Sequence, residues 1–222
     1  MKFDILTIFP DIFNSYFDES IIKRAKKEKI IKINIHNIRE NTTDKHKTVD
    51  DTPYGGGPGM LMKIEPIYKT LKKIKKIKKS KIILFTPTGK TYNQQMAKDL
   101  SKLDQIIMIN GHYEGIDSRI DEFIDEKISI GDYVLTNGNL PAMILVDSIS
   151  RLLPGVLGNE ESFKQDSFYE DNQSEYPQYT KPEIFKYRKD KKTIELKVPN
   201  VLISGNHKLI AKWKEENKNN NK

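Results

Sequence analysis

The sequence predicts an α/β protein with a mostly parallel sheet, followed by a small C-terminal domain. Strand and helix patterns alternate through residues 1–158, the strands are short apolar runs rich in β-branched residues, and the texture changes after Gly158. Residues 2–9 (KFDILTIF) form the first strand, which Pro10 stops. Residues 11–29 follow as a helix, with Ile12, Phe13, Tyr16, Phe17, Ile21 and Ile22 at three- and four-residue spacings. KINIHNI (32–38) alternates as a second strand. Residues 39–63 then make a polar, glycine-rich connection, far longer than an ordinary loop and therefore expected to be functional. A helix over 65–79 puts Ile67, Leu71 and Ile74 on one face and fills the rest with lysine. KIILF (81–85), a helix over 92–103, QIIMIN (105–110), a short helix over 118–124 and a strand over 127–130 come next. An amphipathic helix over 140–153 is closed by Pro154-Gly155. Residues 159–181 lack apolar periodicity and read as a flexible linker. Residues 182–222 make a small, mainly helical domain, with one helix from Asn206 to about Glu216 and a disordered NKNNNK end.

Composition narrows the class. With 36% hydrophobic residues in 222 the chain can bury a core, and 31% charged residues make it unusually polar for a globular protein. It has no cysteine, which excludes disulfides, thiolate metal sites and thiol nucleophiles together. No run approaches the roughly 18 apolar residues of a membrane span. Asp4 and Asp11 interrupt the N-terminal apolar run, which does not fit a signal peptide. A soluble cytoplasmic protein is expected. The net charge of +7 is uneven: residues 1–81 carry 19 basic and 10 acidic side chains, whereas residues 82–158 carry 6 and 10. A basic first third suits a polyanionic partner, though solvated lysine faces account for most of it equally well.

Chemistry is expected at three glycine-containing turns that close strands: Thr86-Pro-Thr-Gly89, Gly111-His-Tyr-Glu-Gly115 and Gly131-Asp-Tyr-Val-Leu-Thr-Asn-Gly138. Ligands of open α/β sheets gather outside the carboxyl ends of strands, so three such turns can line one pocket. GxGxxG, GxxxxGK[ST] and GxSxG motifs are absent, which disfavours dinucleotide, P-loop and serine-hydrolase chemistry. The four histidines have no metal-ligand spacing. In the long connection, DDTPYGGGPGM combines glycines with stiffening Pro53, Tyr54 and Pro58, a backbone able to press against a planar base or a phosphate.

DDTPYGGGPGMLMKIEP, NGHYEGIDSRIDE, ISIGDYVLTNGNLPAMILVDSISRLLPGVLG, YPQYTKPE and VPNVLISGNHKLIAKWK occur in that order. Together they resemble the bacterial tRNA (guanine-N1)-methyltransferases that modify position 37, from Met1 to about Lys214. The resemblance implies a SPOUT-type fold with a deep trefoil knot, S-adenosylmethionine as methyl donor, and the tRNA anticodon stem-loop as partner. It also implies a homodimer whose active sites lie at the subunit interface. Magnesium is implied by family behaviour, with no ligand cluster assigned. Carried over by position, Leu84, Phe85, Thr86, Pro87, Gly89, Tyr113, Glu114, Ile130, Gly131, Tyr133, Leu135, Gly138 and Pro141 bind the donor. Asp166 in KQDSF becomes the general base and Arg151 in SRLLPG the catalytic arginine. Tyr54, Gly55, Gly56, Gly57, Pro58, Gly59 and Glu175 become tRNA contacts. The family usually has Arg, Gly, Asp and His where this chain has Thr52, Asn137, Glu175 and Gln178.

On the residues alone, Arg151 reads as a helix-end cation and Asp166 as a polar linker residue. The alternatives to guanine-N1 transfer are another knotted RNA methyltransferase, acting on ribose 2′-OH or a different base, and an RNA-binding protein without catalysis.

Overall fold

The computed structural model describes residues 1–158 and 173–220. The chain divides into two compact units, Met1–Glu160 and Glu161–Lys222. In the first unit, strands β1 (Lys2–Thr7), β2 (Lys32–Asn37), β5 (Ser80–Thr91), β6 (Gln105–Ile109) and β7 (Glu126–Ser129) form one sheet. Two-residue strands β3 (Asp50–Asp51) and β4 (Leu61–Met62) pair antiparallel inside the long connection. The sheet order is β2-β1-β6-β5-β7, and every neighbouring pair is parallel. The α/β expectation is therefore met.

The sheet is buried on both faces, as parallel sheets require. Strand alternation divides its side chains between two cores. Phe3, Ile5, Ile83, Ile106 and Met108 pack on one face with residues of α2 (Ser20–Lys27), α4 (Gln94–Leu100) and α5 (Asn139–Ser150). Leu6, Leu84, Ile107 and Ile109 pack on the other with α3 (Ile64–Lys73) and the 3-10 helix Ser118–Phe123. One buried carboxylate ties three strands together. Asp4 accepts from His36 Nε2 at 2.8 Å, Asn34 Nδ2 at 2.9 Å and Gln105 Nε2 at 2.7 Å, and Lys2 Nζ lies 3.0 Å away. Burial pushes its pKa up, but these donors outweigh burial and hold it well below the usual carboxylate range.

Several elements differ from expectation. The helix over 11–29 is a 3-10 turn, Pro10–Phe13, then α1 (Asn14–Phe17) and α2, which opens on Ser20 at φ 50°. Phe13 and Phe17 share a face, but Ile22 lies five residues on, about 140° out of phase in an unbroken helix, so the chain breaks to bury all three. Helix α3 stops at Lys73 rather than 79. The lysines at 72, 73, 75, 76, 78 and 79 repel at helical spacing, and Gln105 captures the freed backbone by accepting from Ile77 N and donating to Lys75 O. Strand β5 outruns KIILF: Phe85 and Lys90 both pair with Ile128, so residues 86–89 are an excursion within a continuing strand.

The second unit, expected to be mainly helical, also contains an antiparallel hairpin. It comprises β8 (Gln173–Ser174), β9 (Ile184–Lys189), β10 (Lys192–Lys197), α6 (Asn200–Ile203), α7 (His207–Glu216) and β11 (Asn219–Asn220), with β8 paired to β11. Trp213 of α7 lies against the rings of Tyr176 and Tyr179, as a packing residue would.

Candidate functional site

A cavity of about 400 Å³ opens at the excursion within β5, the carboxyl ends of β6 and β7 and the amino end of α5. Leu84, Phe85, Thr86, Pro87, Tyr113, Glu114, Ile130, Gly131, Tyr133, Leu135, Gly138 and Pro141 all line it. The three glycine-containing turns thus meet at one place. Two backbone positions show why glycine is needed. Gly131 sits at φ 146°, and a Cβ there would lie 2.5 Å from the Tyr133 ring; Gly138 abuts Asn110, whose Cα would be 2.9 Å from an added Cβ.

Gly89 is the exception among the expected donor residues, because it does not line the cavity. A Cβ at Gly89 would lie 2.5 Å from Ile128 N and 2.6 Å from Lys127 C. It serves the close passage of the chain over β7, behind the cavity wall.

The wall is fastened from behind by buried polar groups that sequence reasoning missed. Thr7 Oγ1 donates to Asn139 Oδ1 at 2.9 Å, and Asn110 Nδ2 donates to the same oxygen at 2.9 Å. These residues end β1, follow β6 and begin α5. Asn137 Oδ1 accepts from Asn139 N at 2.9 Å and so secures the first turn of α5. The one available signal was a polar residue closing an apolar run, as in QIIMIN. Sequence reasoning also missed the 3-10 helix contribution of Ser118, Ile120 and Asp121, the last paired to Lys127 at 2.7 Å. His112, another lining residue, has its pKa lowered by burial and by the nearby Arg39 charge.

The glycine loop reaches this cavity through its distal end. Glu114 N donates to Met60 O, Met62 N to Gly115 O and Asp117 N to Met62 O, at 2.9–3.1 Å. At Gly59, φ 83°, a Cβ would overlap Glu114 Cγ, so loop and cavity wall are in direct contact. Gly55, Gly56 and Gly57 all have positive φ with nothing within 4 Å of an added Cβ, and Tyr54 is fully exposed beside them. Pro58 joins the two stretches.

The remaining expected residues are Arg151, Glu175 and Asp166. Arg151 caps the far end of α5, twelve residues beyond Asn139, or about 18 Å along the axis. Glu175 belongs to the second unit, where Gln178 Nε2 donates to it at 2.6 Å. Asp166 lies outside the described residues. Among the described residues no group of three His, Asp or Glu side chains could hold a metal ion. Among them, too, no helix is long and apolar enough to cross a membrane.

A parallel α/β sheet with a glycine-walled cavity at its strand tips has the geometry at which proteins of this class take small molecules. Similarity to known proteins identifies the family. Residues 1–222 match the family described as tRNA (Guanine-1)-methyltransferase TrmD, and the chain belongs to that family, which is of the SPOUT class. It is 55% identical to the tRNA (guanine-N(1)-)-methyltransferase of Clostridioides difficile (strain 630), over 97% of this chain and 91% of that one. The corresponding proteins of Clostridium botulinum (strain Hall) and Dictyoglomus turgidum are 50% and 47% identical, over 97% of this chain and 85% and 84% of theirs.

Proposed function

We propose that this protein transfers the methyl group of S-adenosylmethionine to N1 of guanine 37 in tRNA, in the cytoplasm, as a homodimer of the knotted SPOUT type. The observation that carries the reading is the convergence of three strand-end turns and the distal glycine loop on one cavity, in a chain that matches the family from end to end. The twelve lining residues named above would hold the donor. The cavity is large enough for a nucleoside-sized group, and Gly131 and Gly138 keep space that side chains would fill. Bound there, S-adenosylmethionine supplies an electrophilic sulfonium methyl. Glu114 adds a carboxylate that suits a cationic ligand bearing hydroxyl and ammonium donors.

Guanine N1 carries a proton at neutral pH and is a weak nucleophile until it leaves. Asp166 accepts that proton as general base. The charge that then develops on O6 is met by the planar guanidinium of Arg151. Held by the cavity residues, the donor would supply its methyl to the N1 lone pair and leave as the neutral thioether. Tyr54, the glycine loop and Glu175 hold the anticodon-loop nucleotide, so much of the acceleration is positioning. The 18 Å between Arg151 and the start of α5 supports a site completed by a second subunit, with residues 159–181 as the connecting arm and 182–222 as the tRNA-binding domain.

Mass-spectrometric mapping of the methylated atom in tRNA tests this reading. Methyl on N1 of guanine 37 is expected; methyl on a ribose 2′-oxygen or another base would replace it with a different RNA methyltransferase. No methylation with donor and tRNA saturating would leave an RNA-binding protein. Asp166→Ala and Arg151→Ala should each cut turnover by orders of magnitude while donor affinity stays near wild type.

A further inference from the structure

We infer that the β9–β10 hairpin is a contact surface for unpaired RNA, through the face that carries Phe185, Tyr187, Ile194 and Leu196. The choice of RNA as ligand rests on the proposed function, but the surface itself is set by the register. Phe185 pairs with Leu196, Tyr187 with Ile194 and Lys189 with Lys192, so these six side chains share one face. Phe185 is 54% exposed, Tyr187 37% and Leu196 56%. The two rings stack, with centroids 6.1 Å apart and planes 20° from parallel. A two-stranded hairpin is marginal in water by itself, and an exposed apolar face on one calls for an occupant.

Charge says which occupant. Residues 184–197 carry six basic side chains, Lys197 at the end of β10 included, and two acidic ones. On the opposite face Glu195 is 2.6 Å from Lys186 and 3.7 Å from Lys197. Arg188, Lys189, Lys191 and Lys192 have no ion-pair partner among the described residues, and the last three surround the tip, where Asp190 and Lys191 turn at φ 49° and 65°. A second copy of the same ribbon would be repelled by this charge. A polyanion with accessible planar faces fits: bases lie on the rings and phosphates meet the cations at the tip. A continuous A-form duplex does not present its base faces, so the match is to a loop or single strand.

The test uses the full chain with a tRNA transcript and an unstructured RNA oligomer, titrated across a salt series. Phe185→Ala/Tyr187→Ala should weaken RNA binding at least about fivefold, the low end for losing one base stack. Lys189→Ala/Lys192→Ala should lower the slope of log affinity against log salt by about 0.7 for each phosphate no longer neutralised. S-adenosylmethionine affinity, measured by calorimetry, should stay at wild type in both, and an unchanged circular dichroism spectrum and melting curve report intact folding. Unchanged affinity and slope for both RNAs would overturn the inference. A change in sedimentation with RNA affinity unchanged would overturn it too, by giving the face to self-association. If wild-type protein binds tRNA yet leaves guanine N1 unmethylated, the functional reading fails while the hairpin is still judged on affinity alone.

Discussion

Thr7 and Asn139, 132 residues apart in sequence, are joined by a 2.9 Å hydrogen bond that is wholly buried. It fixes the start of α5 to the end of β1, and the shared acceptor also takes Asn110 Nδ2 from the end of β6. Asn139→Ala strands both donors, a loss of about 1–3 kcal/mol. Chemical denaturation should register that loss. Because Gly138 and Pro141 flank Asn139 in the cavity wall, donor affinity should fall with it, and Thr7→Val should reproduce part of both effects.

Gly89→Ala addresses the wall from the other side. An added Cβ meets the backbone of Lys127 and Ile128 at 2.5–2.7 Å, atoms that cannot swing aside. Separation of β5 from β7 near residue 128 is expected, with a destabilisation of about 1–3 kcal/mol as for an overpacked core. Gly55→Ala, where space is open but φ is 85°, should cost less in thermal stability. Equal melting temperatures for the two variants would contradict this account of Gly89.

Asp4 sets an acid limb. Its folded pKa is depressed below the ordinary 3.8, so its stabilising contribution is present above that pH and is lost as pH falls toward the folded value. Wild-type stability should therefore decline below about pH 4. Asp4→Asn should flatten that decline, while lowering stability at neutral pH through loss of the charge-assisted bonds to His36 and Lys2. Unfolding curves between about pH 3 and 7 compare the two directly.

Subunit sharing predicts complementation. Gly131→Ala should spoil the cavity of its own chain, and Asp166→Ala removes the base that the proposed second subunit contributes. Co-purified mixed dimers should recover methylation that neither variant shows alone. Activity confined to wild-type dimers would place base and cavity in one chain.

The parts of this molecule that sequence discloses are those set by neighbours in the chain. KIILF and QIIMIN are apolar enough to be read as buried strands, and GHYEG and GDYVLTNG announce the turns that line the cavity. What stayed hidden depends on distance, or on charge that obscures a pattern. The five-residue step from Phe17 to Ile22 breaks a helix only because both must reach the same core. The hairpin alternates Phe185, Tyr187 and then Ile194, Leu196, but its turn, Asp190-Lys191, lacks glycine and its lysines blur the period. The Thr7, Asn110 and Asn139 cluster needs the sheet order before it exists at all.

The contact of Gly59 with Glu114 would make the two proposed ligands, donor and RNA, answerable to each other. A guest that shifts Glu114 also shifts the backbone bond from Glu114 N to Met60 O, and with it the distal end of the loop. Whichever sign holds, reciprocity fixes the size: donor and RNA must alter each other's equilibrium affinity by one common factor.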